Sequence, residues 1–132
     1  MKKQFKIDHS IAIEMDGIYI DLHNFYSFEG FIIDIPKNEV KLEWTKLEKW
    51  DGERGYKYIC MVFENVSFFK MSDNFFKVNP KSLEEIGYKE YHDFDYDWLN
   101  NEEQSKENYH IFFRFEGDEY LRVYSETITL NF

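Results

Sequence analysis

Apolar and polar residues alternate with a period of two along most of this chain. Ile11, Ile13 and Met15 alternate with Ala12 and Glu14, and after Asp16-Gly17 the pattern resumes with Ile18, Ile20 and Leu22 around Tyr19 and Asp21. A period of two puts successive side chains on opposite faces of a strand, and Asp-Gly is a strong two-residue hairpin signal. Such a loop pairs Met15 with Ile18, Ile13 with Ile20 and Ile11 with Leu22, so all six face one side. A second pair follows: Phe31, Ile33 and Ile35 precede Pro36-Lys37-Asn38-Glu39, and Val40, Leu42 and Trp44 come after it. A four-residue loop beginning at Pro36 sets Ile35 opposite Val40, Ile33 opposite Leu42 and Phe31 opposite Trp44, with the missing proline N–H placed outside the ladder.

Asp51-Gly52-Glu53-Arg54-Gly55 reads as a connection. Beyond it, Tyr56 to Lys70 is apolar on both faces: Ile59, Met61 and Phe63 on one, Tyr58, Cys60 and Val62 on the other. This predicts a central strand covered on both sides, with a bulge or turn at Glu64-Asn65. The last hairpin joins Ile111, Phe113 and Phe115 to Leu121 and Val123. Parity demands an odd loop, Glu116-Gly117-Asp118, with a left-handed residue in it. Ile128, Leu130 and Phe132 then take the other parity, which predicts a bulge or tight turn near Ser125-Glu126. Only Pro80 to about Glu107 lacks strand character. There Ser82-Leu83-Glu84-Glu85-Ile86 has the capping-box pattern of a short helix stopped by Gly87, and Asp97 to Lys106 suggests another helical turn. The expected fold is mainly β: an antiparallel sandwich or partly open barrel of about seven or eight strands. One or two short helices are expected within 80–107, in a single all-β domain over 1–132.

Composition narrows the function. Sixteen Lys and Arg against 26 Asp and Glu give a net charge of -10. That balance argues against nucleic-acid or anionic-membrane binding, both of which need a basic footprint. The 14 Phe, ten Tyr and three Trp argue against disorder despite 32% charged residues. Lys6, Asp8 and His9 interrupt any apolar leader, and no apolar run reaches spanning length, so a cytoplasmic location is expected. The lone Cys60 lies inside an apolar strand and reads as a small buried hydrophobe, not a nucleophile.

Tyr91-His92-Asp93-Phe94-Asp95-Tyr96-Asp97-Trp98 is the sharpest local feature. Three Asp at i, i+2 and i+4 resemble the start of a calcium loop, but Trp98 stands where its Gly belongs and Gln104 where its bidentate Glu belongs. No metal or other cofactor is expected. The four histidines lack zinc-site spacing, although His92 beside Asp93 is a close His–carboxylate pair. If the segment is extended, the three carboxylates share one face and favour a cation or a basic partner. Asp93, Asp95, Asp97 and Trp98, with Glu102 and Glu103, therefore form the candidate binding surface, in which acidic groups surround aromatic area. Tyr19, Tyr120 and Tyr124 fall on faces opposite the core, either as contact residues for a partner or because a second sheet covers that face.

The tail Tyr109-His110-Ile111-Phe112-Phe113-Arg114-Phe115-Glu116-Gly117-Asp118-Glu119-Tyr120-Leu121-Arg122-Val123, closed by Ser125 to Leu130, resembles small acidic bacterial β-proteins similar to immunity proteins of polymorphic toxin systems. The resemblance lies in size, acidity and the hairpin ending, and it transfers no functional residue. It implies a cytoplasmic, non-enzymatic antidote that occludes a basic toxin. Two other readings stay open. One is a β-barrel holding a small apolar ligand. The other is a hydrolase built on two carboxylates about 5 to 10 Å apart, one with a raised pKa.

Overall fold

The computed structural model describes residues 1–47, 56–77 and 82–132. The connection expected at Asp51–Gly55 lies outside them. The described chain is mainly β. Its strands are β1 (Lys2–Lys3), β2 (Lys6–Asp8), β3 (Ala12–Met15), β4 (Ile18–Asp21), β5 (Tyr26–Asp34), β6 (Glu39–Lys46), β7 (Tyr58–Met71), β8 (Leu83–Lys89), β9 (His110–Phe115) and β10 (Tyr120–Asn131), with a 3-10 turn at Phe75–Lys77. A seven-stranded sheet runs in the order β5-β6-β7-β10-β9-β8, with β1 alongside β10, and it curls into a half-barrel. Strands β2, β3 and β4 form a second, antiparallel sheet. No helix among the described residues is long and apolar enough to cross a membrane.

The alternation read from the sequence makes one apolar core. Ile13, Ile20 and Leu22 of the small sheet and its flank join Leu42, Trp44, Ile59, Met61, Phe63, Phe113 and Leu121 of the large sheet in a single buried cluster. Because both sheets contribute to one cluster, the small sheet acts as a lid on the apolar face of the half-barrel. Strand β7 lies between β6 and β10, with Cys60 and Val62 buried on its other face. The first hairpin has the expected register, Met15 opposite Ile18 and Ile13 opposite Ile20, and His23 N donates to the Ile11 carbonyl at 3.3 Å just beyond it. The last hairpin pairs Phe113 with Leu121 and Ile111 with Val123 around the odd loop, where Gly117 (φ 83) and Asp118 (φ 63) are left-handed. No turn interrupts the chain at the parity slip, and the pairing beside it is bulged. β10 runs unbroken, and the step from the pair Tyr124–Phe68 to the pair Ser125–Val66 leaves Ser67 of β7 without an opposite residue.

Three expectations need correction. The hairpin after Phe31 is shifted by two residues, pairing Ile33 with Val40 and Phe31 with Leu42. The turn is therefore Ile35 to Asn38, because Asn38 accepts a left-handed φ of 52 that Glu39 would resist. Ile35 becomes a turn residue, and Ile33, expected in the core, is 47% exposed near the hairpin tip. The helix expected over Ser82–Ile86 is strand β8, with Pro80 and Lys81 outside the described residues. Leu83 pairs with Phe115 and Glu85 with Arg114, so Glu84 is an extra residue on β8. That bulge brings Leu83 and Ile86 onto one face at a spacing of three, which imitates a helical period. Asp97–Lys106 holds turns and one β-bridge, Tyr88 with Asn100, instead of a helix. Its polar residues leave no apolar stripe to bury, and its backbone bonds to the β8 edge instead.

Candidate interaction surface

The outward face of β7–β10–β9–β8 carries cations and rings in place of the usual neutral polar residues. Lys89 (0% exposed), Arg122 (3%), His110, Phe112 and Tyr120 are all buried there, with Arg114 and Lys70 at the margin. Burying a cation is costly unless acceptors surround it. The segment from Glu90 to Trp98, here called the strap, supplies them. Arg122 Nη1 donates to the Asp93 carbonyl at 2.8 Å and to Asp95 Oδ1 at 3.0 Å, and its Nη2 donates to the Glu90 carbonyl at 2.6 Å. Lys89 Nζ donates to the carbonyls of Phe94 at 2.7 Å and Asp97 at 2.8 Å. Lys70 Nζ and the Tyr120 hydroxyl both donate to Asp95 Oδ2, at 2.5 and 2.7 Å. Phe112 lies beneath Lys89 and Arg114 at 5.1 and 5.4 Å, within cation–π range.

The electrostatics follow from this packing. Burial pushes the Asp95 carboxyl up, but its bonds from Lys70, Tyr120 and Arg122 outweigh that and hold it below its ordinary value. Burial, with the nearby Arg122 charge, lowers the Lys89 ammonium. The same two causes lower His110 from 6.5 to about 4, so its Nδ1 stays unprotonated and accepts from Arg122 Nε at 2.8 Å. Burial and the Asp95 carboxylate raise the Tyr120 hydroxyl to about 12, so it remains a donor.

The six candidate residues divide between scaffold and surface. Asp95 is consumed by the cationic face. Asp93 Oδ2 accepts from Glu90 N at 2.9 Å and shapes the turn that starts the strap. Glu102 is also consumed. Its carboxylate takes Lys3 Nζ at 2.9 and 3.0 Å, Ile7 N at 2.7 Å and the Tyr88 hydroxyl at 2.8 Å. Burial raises it, and these bonds bring it below its ordinary value. Asp97 and Glu103 are exposed, with carboxylates that no described residue bonds, and Trp98 is 94% exposed. The sequence reading missed Tyr91, Phe94 and Tyr96, which are 71%, 77% and 69% exposed. The signal was there. Aromatics at 94, 96 and 98 interleave with Asp at 93, 95 and 97, although the segment folds as two turns, at 90–93 and 94–97, and not as an extended strand, so Asp97 is exposed together with the aromatics.

Glu90, His92 and Asp93 bring three potential ligand atoms within 4.8 Å of one another. Each is already engaged: Glu90 Oε1 by the Tyr109 hydroxyl at 2.6 Å, Glu90 Oε2 by His92 Nε2 at 3.0 Å, and Asp93 by the Glu90 amide. Asp95 and Glu102, whose carboxyls shift on folding, both move down, opposite to the direction a general acid at neutral pH requires. Compared with protein-family models, curated proteins and solved structures, the chain matches none.

Proposed function

We propose that this chain is a non-enzymatic protein-interaction module of immunity type, and that the outer surface of the strap docks on a basic protein such as a toxin. One observation carries the reading. The strap turns Phe94, Tyr96 and Trp98 to solvent while its own acids and carbonyls bind buried cations. Exposing large aromatics has a solubility cost, and rigid aromatic anchors within a charged rim are the usual make-up of a binding hot spot. The net charge of -10 speeds encounter with a basic partner. The strap is fastened before any partner arrives, so docking loses little conformational entropy.

The test uses the full chain immobilised against lysate of its source organism, with three exposed positions changed together: Asp97→Lys, Trp98→Ala and Glu103→Lys. These positions carry no scaffold bond through their side chains, so the fold is expected to survive. A basic protein retained by the native chain and lost by the variant supports the reading. The same retained set on both would place any docking surface elsewhere.

A further inference from the structure

Beside the strap lie two hollows of about 460 and about 440 Å³, and Ser10 lines both. One wall is the β2–β3 turn with Asp8. The other runs from Tyr96, Asp97 and Trp98 to Glu103. We infer that these hollows form one groove that receives an arginine side chain, on an extended segment of the basic partner. The inference rests on the proposed docking function and specifies what the partner inserts.

Three features support an arginine. First, both walls are fixed in advance. Ile86 N donates to the Ser10 carbonyl at 2.7 Å, Glu102 ties the 101–105 turn to Lys3 and Ile7, and Lys89 holds the Asp97 carbonyl. Second, the charge left over is negative. Arg114, the cation lining the second hollow, is ion-paired with Glu85, while Asp97 in that hollow and Glu103 in the first have no bonded partner among the described residues. Third, Trp98 offers an almost unobstructed indole at the groove wall. A guanidinium suits this combination, because it stacks on an aromatic plane while its edge donates to carboxylates. A neutral apolar side chain would leave both carboxylates unanswered, and an acidic one would be repelled.

The experiment titrates the isotope-labelled full chain with the capped pentapeptide Gly-Arg-Gly-Arg-Gly and with the same peptide carrying citrulline, the neutral isostere of arginine. The arginine peptide is expected to move the Ser10 and Asn101 amide signals and the Trp98 indole signal, with affinity falling as salt rises. Citrulline should bind about fivefold or more weakly, and Asp97→Asn with Glu103→Gln, or Trp98→Ala alone, should weaken the arginine peptide by a similar factor. Unchanged amide dispersion in each variant confirms its fold. Equal binding of both peptides, shifts confined to other surfaces, or no binding at all would overturn the arginine groove. The docking function is judged separately: a lysate partner that still depends on Asp97, Trp98 and Glu103 would survive failure of the peptide, whereas loss of both would end both.

Discussion

Asp95 and Arg122 show how a charged residue can be scaffold in a protein whose surface is already rich in charge. Arg122 answers two strap carbonyls, one carboxylate and one imidazole, while only 3% exposed. Removing its charge but keeping its bulk, as in Arg122→Met, strands those acceptors. Chemical denaturation should register a loss of about 3–5 kcal/mol, as for other broken buried charge pairs. His110 makes a pH-dependent contribution. An unfolded histidine protonates below about 6.5, but His110 in the fold stays neutral down to about 4. Its contribution is complete above pH 6.5 and disappears as pH falls towards 4, by up to about 3 kcal/mol. In His110→Gln, which keeps an acceptor for Arg122 Nε, denaturation midpoints should stay flatter than the native chain's across that interval. From about 4.5 downwards, both chains should also weaken as Glu102 and then Asp95, whose ordinary values of 4.5 and 3.8 are lowered by the fold, take up protons.

Among elements, the strap and β8 illustrate how edge pairing replaces helix propensity. The chain just after the strap approaches the β8 edge closely because Gly87 has no side chain: a Cβ there would lie 2.9 Å from the Asn100 carbonyl oxygen and 2.9 Å from Leu99 Cβ. Tyr88 and Asn100 exchange backbone bonds of 2.9 and 2.8 Å beside it. Gly87→Ala therefore has to push backbone away, and it should cost about 1–3 kcal/mol of stability. Amide exchange at Tyr88 and Asn100 should accelerate well before that of Phe113 in the core. The helix expected over 82–86 fails for a related reason. Five residues nucleate a helix poorly, and a bulge at Glu84 lets Leu83 and Ile86 join the core as strand residues.

For the molecule as a whole, the acidic balance and the fastened strap together predict how association responds to salt. If the exposed surface meets a basic protein, raising salt from about 50 mM to about 500 mM should slow association far more than it speeds dissociation, because steering acts on encounter. Stopped-flow mixing with any partner retained through Asp97, Trp98 and Glu103 would measure both rates. The half-barrel was legible because alternation in Ile13, Ile20, Phe113 and Leu121 assigns each side chain to one face, and burial rewards only that assignment. The hairpin loops at 16–17 and 116–118 were legible through parity and left-handed residues. The tip at Ile33 and Ile35 was not, since a shift of two residues leaves the faces unchanged and the pattern cannot detect it.

The candidate surface was only half legible, and the division has one physical cause. The run from Tyr91 to Trp98 marked itself by composition, but it folds as two turns, and Asp97 stays exposed beside Tyr96 and Trp98, so alternation alone did not sort carboxylates from aromatics. Which carboxylates turned inward depended on what lay beneath, namely Lys89, Arg114 and Arg122, brought there by strands far apart in the chain. Sequence alone determined the faces of the central hairpins and the acidic character, though not that Leu83–Lys89 is a strand. Only the tertiary structure decided that Asp95 and Glu102 are fasteners while Trp98, Asp97 and Glu103 remain on offer, because a carboxylate's role is set by the cation it meets, and that meeting is made by the fold.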